Sequence, residues 1–500
     1  SGVGGLHIAS TSNPGITGTI QINAGTLFLD HNGTGSGPVG SATIRLHADH
    51  LNNFNTATGT TGGQMPILAL RTDSASRTYN NSVIISENVP LARIDTNRYS
   101  GSSNGNITIQ NLTIEGTSSL QGTLLQFQNN NSYNLIVNGT TTIGGTSQVG
   151  LYVSAGTAQL TGAVTSSVGI TKTGNGTLRL DADNTATLTG DVTLNRGEVR
   201  LQGTGTGTVP NNAVGTGDFI SNFGTIRLAS SVADHDFFVT TGQTITINGQ
   251  TTITLDRNGG SAAVNKYLGD HNDGQMIITN NNPFVIVNGN DALVIEAGIL
   301  MNDILNFRTD ATTHIRGVIE GRGRIVKLGN YLVLDQNDVH TFSGGYDAYQ
   351  GVTLLGHANT RLGTGAVRFF SGTYLSTIST ANLGTTGLTL MVNSSSALTQ
   401  VGLRSNTAVN VDAITAMVAA PGLFKGNGTG ILSLDGNLTF SADLQMATRD
   451  SGFYNNWFLG GGNGNATLSA NSVTPWGAGG NQFLLGGGQG TLTLNPSTAN

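Results

Sequence analysis

The chain has 500 residues, of which 73 are glycine, 10% are charged and none is cysteine; its formal charge is −6. The absence of cysteine excludes a disulfide framework, a zinc ribbon, an iron–sulfur cluster and a thiol nucleophile. Sparse Lys and Arg argue against a nucleic-acid partner. Glycine without a three-residue period, with 9 prolines, excludes collagen, and 37% apolar content opposes charge-driven disorder.

The opening residues Ser1–Leu6 carry no basic region and no long apolar stretch, so they read as the middle of a pattern. From there apolar and polar residues alternate with a period near two. Ile20–Ile22, Thr26–Leu29, Thr43–Leu46, Ile107–Ile109, Thr177–Leu180, Val192–Leu194, Val199–Leu201, Thr244–Ile247 and Thr491–Leu494 read as short strands. Gly, Asn and Asp bound each of them and supply the turns. The best helical pattern, Ala408–Phe424, is stopped by Pro421 and Gly422 and reads equally as strand plus loop. No apolar run of about 18 residues exists, so no transmembrane helix is expected.

Strands this short must bury their apolar faces against copies of themselves. A degenerate unit does return, most clearly at residues 170–203 and 319–369, in truncated form at 18–46, and as glycine-rich terminal coils over 424–500. No Pro-rich or charged linker interrupts residues 1–500, so they read as one continuous all-β solenoid with irregular loop insertions. At roughly 20–25 residues per coil and about 4.8 Å between coils, the expected product is an elongated rod on the order of 100 Å long. Leu178, Leu180, Leu188, Val192, Leu194, Val199 and Leu201 are expected to point inward, and Thr177, Arg179, Thr193 and Arg200 outward. Gly174 and Gly176 are expected to permit tight turns, and Asn at equivalent bends to stack into amide ladders.

The string Lys172-Thr173-Gly174-Asn175-Gly176-Thr177-Leu178, together with Leu362-Gly363-Thr364-Gly365-Ala366-Val367, resembles the autotransporter-associated β-strand repeat of bacterial surface passenger domains. Lys327-Leu328-Gly329-Asn330-Tyr331-Leu332 is a variant in which Tyr331 replaces the second glycine. The resemblance implies a right-handed parallel β-helix and an extracellular or bacterial cell-surface location. It specifies family texture more than activity.

Chemistry is sparse. The pairs Asp181/Asp183 and Asp234/Asp236 lie two apart, as hydrolytic carboxylates on a strand would, but turn hydrogen bonding accounts for both. Asp270-His271-Asn272-Asp273-Gly274 is similar to the start of a calcium loop, one residue short, so Asp270 and Asp273 are the calcium candidates. Gly461-Gly462-Asn463-Gly464-Asn465 has Asn465 where a calcium nonapeptide has its carboxylate. His47 and His50 lack companion ligands. No other cofactor and no catalytic residue is expected. Tyr454, Trp457 and Trp476 are candidate glycan or interface aromatics.

The leading expectation is a non-catalytic structural or adhesive surface protein. Its partners would be copies of itself, end-to-end or lateral, and glycans. Ser1–Leu6 and Thr491–Leu494 both read as open coils, so a longer parent chain or end-to-end assembly is expected. The second reading is a polysaccharide-degrading lyase or glycosidase, or a tailspike-like glycan-binding β-helix.

Overall fold

The computed structural model describes residues 5–495 apart from a number of segments, the longest being 48–64, 404–423, 441–456 and 470–483. The described residues are strands, turns and bends, with no α-helix among them. The helical pattern at Ala408–Phe424 lies outside them except at its last residue, Phe424, which is in a strand. The chain divides into two compact units, Ser1–Gly274 and Gln275–Asn500.

In the first unit Val149–Val153, Thr157–Leu160 and Val164–Ser166 form three sides of one coil. The next coil lays Ile170–Thr173 on the first side and Thr177–Leu180 on the second, both parallel and in register. On the third side only Leu188 bridges to Ser166. Val149, Ile170 and Val192 occupy one column, so the chain returns after 21 and then 22 residues. In the second unit the column Leu305, Ile325, Tyr346, Val367 returns after 20, 21 and 21 residues. There Gly298–Met301, Leu305–Thr309 and Thr313–Ile315 are the sides of one coil. Parallel pairing of successive coils at this spacing is the β-solenoid expected from the sequence.

Burial follows the period of two. Leu178, Leu180, Leu188, Val192, Leu194, Val199 and Leu201 are buried, and Thr177, Arg179, Thr193 and Arg200 are half-buried on the outer face. One-residue alternation puts every apolar side chain of Thr177–Leu180 inside and leaves Thr177 and Arg179 outside. The amide ladders are present as well. Asn248 donates to Asn222 (2.7 Å) and Asn222 to Asn195 (2.6 Å) at one corner of three successive coils. Asn134 donates to Asn106 and Asn306 to Asn282 in the same manner.

The two glycines of Lys172–Gly176 serve different purposes. Gly174 has φ +76°, a left-handed turn that favours glycine. Gly176 is outside that region; instead a Cβ there would lie 2.7 Å from Val153 Cγ1 and 2.8 Å from the Gly156 carbonyl of the preceding coil. In the second copy Tyr331 takes the place of Gly176 because it opens the strand Tyr331–Leu334, and it is 37% exposed. That turn is one residue shorter.

The interior also holds cations. The chain has four lysines, Lys172, Lys266, Lys327 and Lys425. Lys172, Lys266 and Lys327 are all 0% exposed, a location lysine almost never takes without partners. The Lys172 ammonium donates to the carbonyls of Thr173 (2.8 Å), Gly174 (2.9 Å) and, one coil on, Arg196 (3.0 Å). Lys327 repeats the arrangement with Gly329 (2.9 Å), Asn330 (2.6 Å) and, one coil on, Gln350. Lys266 donates to the Ser230 carbonyl (2.8 Å). The residues after the third carbonyl, Gly197 and Gly351, have φ +81° and +66°, and a Cβ on either would stand 2.8 Å from the ammonium nitrogen. Each Lys-x-Gly turn is therefore bolted to the turn of the next coil by a buried ammonium with three acceptors.

Burial pushes Lys172 down to about 8, opposed by the Glu198 carboxylate, and Lys327 down to about 7, from an ordinary value of 10.5. Three carbonyls around one nitrogen favour the protonated form and oppose a further fall. Between these values and 10.5 the unfolded chain binds more protons than the folded one. Stability therefore rises with pH across that window and is lost as pH falls through about 8 and then about 7. Tyr79 and Tyr346, pushed up by burial, reverse the trend only above about pH 10. Urea midpoints are expected to climb from pH 6.5 to 9.5. In Lys327→Met the climb should begin nearer 8, with a loss of about 3 kcal/mol at pH 8 from the orphaned carbonyls. A Lys327→Met midpoint equal to wild type would refute the role given to the ammonium, and a flat pH profile would show that burial does not lower the two lysines.

Candidate functional site

Most residues singled out by the sequence are separated or outside the described set. Asp181 is paired with Arg179 (2.6 Å) and accepts from Gln159 (2.6 Å). Asp183 instead accepts from the Thr185 amide (3.1 Å) and hydroxyl (2.7 Å), the turn chemistry expected of it. Asp234, His50, Asp270, His271, Asn272, Asp273, Asn463, Tyr454 and Trp476 lie outside the described residues. Trp457 opens the strand Trp457–Gly461, and its side chain is outside them too. Among the described residues no group of three or more His, Asp and Glu is placed to hold a metal ion, and no helix is long and apolar enough to cross a membrane. A recess of about 490 Å3 lies among Leu459, Leu485, Leu492, Leu494 and glycines, without a polar side chain to orient a substrate.

Three outer-face clusters were not foreseen. In the first unit, successive coils stack planar groups along one side. The His7 ring lies on Phe28 (4.1 Å, 16°), and the Arg71 guanidinium is 4.6 Å from the Phe28 centroid and 5.4 Å from that of Tyr99. Asp30 holds Arg71 through both oxygens (2.6 and 2.8 Å). Arg71 also donates to His7 Nδ1 (3.0 Å), which fixes that nitrogen as an unprotonated acceptor.

The second cluster occupies a corner of the second unit. Glu296, Arg316 and Asp335 each follow a strand on the same side, one coil apart, so charge alternates along the column. Arg316 reaches Glu296 at 3.2 Å and Asp335 at 3.9 Å, and His314 Nδ1 meets Asp335 at 2.6 Å. The His314 hydrogen bond, with smaller help from Arg316 and His357, holds the Asp335 carboxyl below the usual carboxylate range against the effect of burial.

The third cluster is the candidate site. Asp347 lies on the outer face of Tyr346–Ala348, in register between Val326 and Arg368, and is only 3% exposed. Arg368 grips it from the next coil, Nε donating at 2.7 Å and Nη2 to the other oxygen. Arg324 reaches it from the preceding coil through Nη1 (2.7 Å), while its Nε donates to the Gly344 carbonyl (2.9 Å). Burial pushes the Asp347 carboxyl up, and the Arg324 guanidinium opposes this. Beside them Tyr349 and Phe370 each stand one residue past a strand end, at equivalent corners of adjacent coils. Their rings stack at 4.2 Å and 7°, with Arg368 5.9 Å from the Phe370 centroid. Half-buried Val326 and Leu328 extend the apolar part of this face.

In the first cluster one carboxylate meets one arginine, and in the second two carboxylates flank one arginine. In the third, two guanidinium groups share one carboxylate. Arg324 Nη2 and Arg368 Nη1 make no hydrogen bond among the described residues, and both side chains reach solvent. The arrangement presents planar N–H donors beside exposed aromatic carbon, a surface for binding. A sequence signal did exist: Arg324, Asp347 and Arg368 are spaced by roughly one coil each, which is visible once the coil length is known.

Compared with family models, with curated proteins and with solved structures, the chain matches none of them.

Replacing Asp347 by Asn leaves two arginines facing each other with no counter-charge. The expected loss is about 2–3 kcal/mol, at the low end for a broken buried pair because both arginines reach solvent. Equal urea midpoints for Asp347→Asn and wild type would show that Asp347 is not what holds the two guanidinium groups together.

Proposed function

We propose that this chain is a non-catalytic structural and adhesive protein of the bacterial exterior, a β-solenoid scaffold that associates with copies of itself or with glycans. The observation that carries this reading is how the outer faces are satisfied. Asn195, Asn222 and Asn248 bond one another, and Asp30, Asp181, Glu198 and Asp347 are each held by an arginine. Lys172, Lys266 and Lys327 are all inside. Little mobile charge therefore projects from these faces, and hydroxyls and amides make up much of the rest. Such a surface packs closely without electrostatic repulsion and hydrogen-bonds readily to sugar hydroxyls.

Two sequence features agree with a surface location. A chain without cysteine crosses an export channel with no disulfide to form or break. The Lys172–Leu178 string, similar to repeats of bacterial surface passengers, lies at a coil corner where such a repeat would act as a structural staple.

Electron micrographs and sedimentation are expected to show concentration-dependent association, and immobilised glycans to retain the protein. Polysaccharides incubated with it, with or without calcium, are expected to yield no new reducing ends or unsaturated products. Sustained turnover would replace this reading with the enzymatic one. A protein that stays monomeric at high concentration and ignores every glycan would also overturn it.

A further inference from the structure

We propose that the Arg324–Asp347–Arg368 clasp with the Tyr349–Phe370 pair is a subsite for acidic sugars, taking the carboxylate or sulfate of an anionic polysaccharide. This deepens the glycan-contact reading and rests on it.

The argument starts from charge. One carboxylate between two guanidinium groups leaves a local excess of positive charge, the reverse of the Glu296–Arg316–Asp335 cluster. Asp347 pre-orients both forks: three charge-assisted bonds fix them, and the side chains lie across three successive coils, on the order of 10 Å. The unused Nη2 of Arg324 and Nη1 of Arg368 are donors in fixed planes, the geometry that carboxylate and sulfate oxygens match. An oxyanion placed there meets two guanidinium groups already ordered, so little conformational entropy remains to be lost on binding.

The second element is aromatic. Tyr349 is 42% exposed and held parallel to Phe370, so one edge of a two-ring stack faces solvent beside the arginines. Aromatic carbon next to a phenolic hydroxyl accepts the mixed apolar and hydroxylated surface of a pyranose ring. Exposed Gln350 accepts from the Gly329 amide through Oε1 (3.3 Å), which turns its amide nitrogen toward solvent as a further donor to hydroxyl groups. Charge alone would suit any polyanion; charge beside a solvent-facing ring stack selects a sugar that carries an acid.

The test uses the whole protein and defined polymers: polygalacturonate for carboxylate, heparin for sulfate, dextran as neutral glycan and polyglutamate as acidic peptide. Binding to polygalacturonate or heparin is expected to exceed binding to polyglutamate about tenfold and to weaken with salt. The R324Q/R368Q variant should lose that preference, and Tyr349→Ala should lower affinity for the acidic sugars about tenfold while leaving polyglutamate unchanged. If removal of both arginines unfolds the protein, R368K, which keeps the charge and discards the fork, is expected to weaken binding in the same direction. Equal binding of polyglutamate and the acidic sugars would make the surface a general anion patch and overturn the proposal. Retention of dextran alone would overturn it while leaving glycan contact intact. Failure to bind any glycan would count against both readings.

Discussion

Every described coil has the same restriction: whatever it turns inward is satisfied within its own turn, by the coil before or by the coil after, or by nothing. Leu178 and Leu180 meet Ala158 and Leu160 on one side and Val199 and Leu201 on the other, because the register is parallel and unbroken. A polar group admitted to this interior must find its acceptors within one coil spacing. The lysine cages satisfy that condition. Lys172 takes two carbonyls from its own turn and one from the turn above, so a single ammonium fixes the height, register and turn geometry of two coils together. A buried ammonium costs several kcal/mol in desolvation, and here three charge-assisted hydrogen bonds offset part of the cost, the remainder showing as the lowered Lys172 and Lys327.

The same restriction decided what the sequence could disclose. Alternation exposed the strands: Thr43–Leu46, Thr177–Leu180, Val192–Leu194, Thr244–Ile247 and Thr491–Leu494 have the bounds their residues implied. The general value of roughly 20–25 residues per coil brackets the observed returns of 21, 22 and 20 residues. What stayed hidden was the cause behind each turn residue. Gly174 and Gly176 look alike in the string, yet one answers a positive φ and the other the approach of Val153. Lysine is usually a surface residue, and only the positions of the neighbouring carbonyls explain why Lys172 is not. Of the acidic pairs, Asp183 shows the turn hydrogen bonding expected of it, and Asp181 does not. Asp181 belongs with Arg179 and Gln159, whereas Asp347 belongs with residues 23 and 21 positions away.

On the outer faces, the coil repeat turns single side chains into columns. A column of amides, as at Asn195, Asn222 and Asn248, propagates one hydrogen-bond pattern and presents nothing distinctive. A column of alternating charge, as at Glu296, Arg316 and Asp335, pairs each carboxylate with the arginine between them. Specific binding arises where a column breaks its own rule. Val326, Asp347 and Arg368 form such a break, with Arg324 supplying a second cation and Tyr349 and Phe370 replacing the polar side chains found at other corners.

The division of labour between the two cations follows from their shapes. No described arginine is buried, whereas Lys172, Lys266 and Lys327 are. A lysine ammonium has three N–H bonds splayed around one atom, and a corner where three carbonyls converge matches it. A guanidinium group is flat and forked, and on the face of a sheet it finds a carboxylate one coil away whose two oxygens match the fork, as Arg227 does with Glu198 at 2.9 Å through both nitrogens. Exchanging the two would fail in both places: the fork is too wide for the cage, and the ammonium leaves one carboxylate oxygen unheld. Lysine thus ties turn to turn inside an aliphatic core, and arginine pairs with carboxylates on the outer faces.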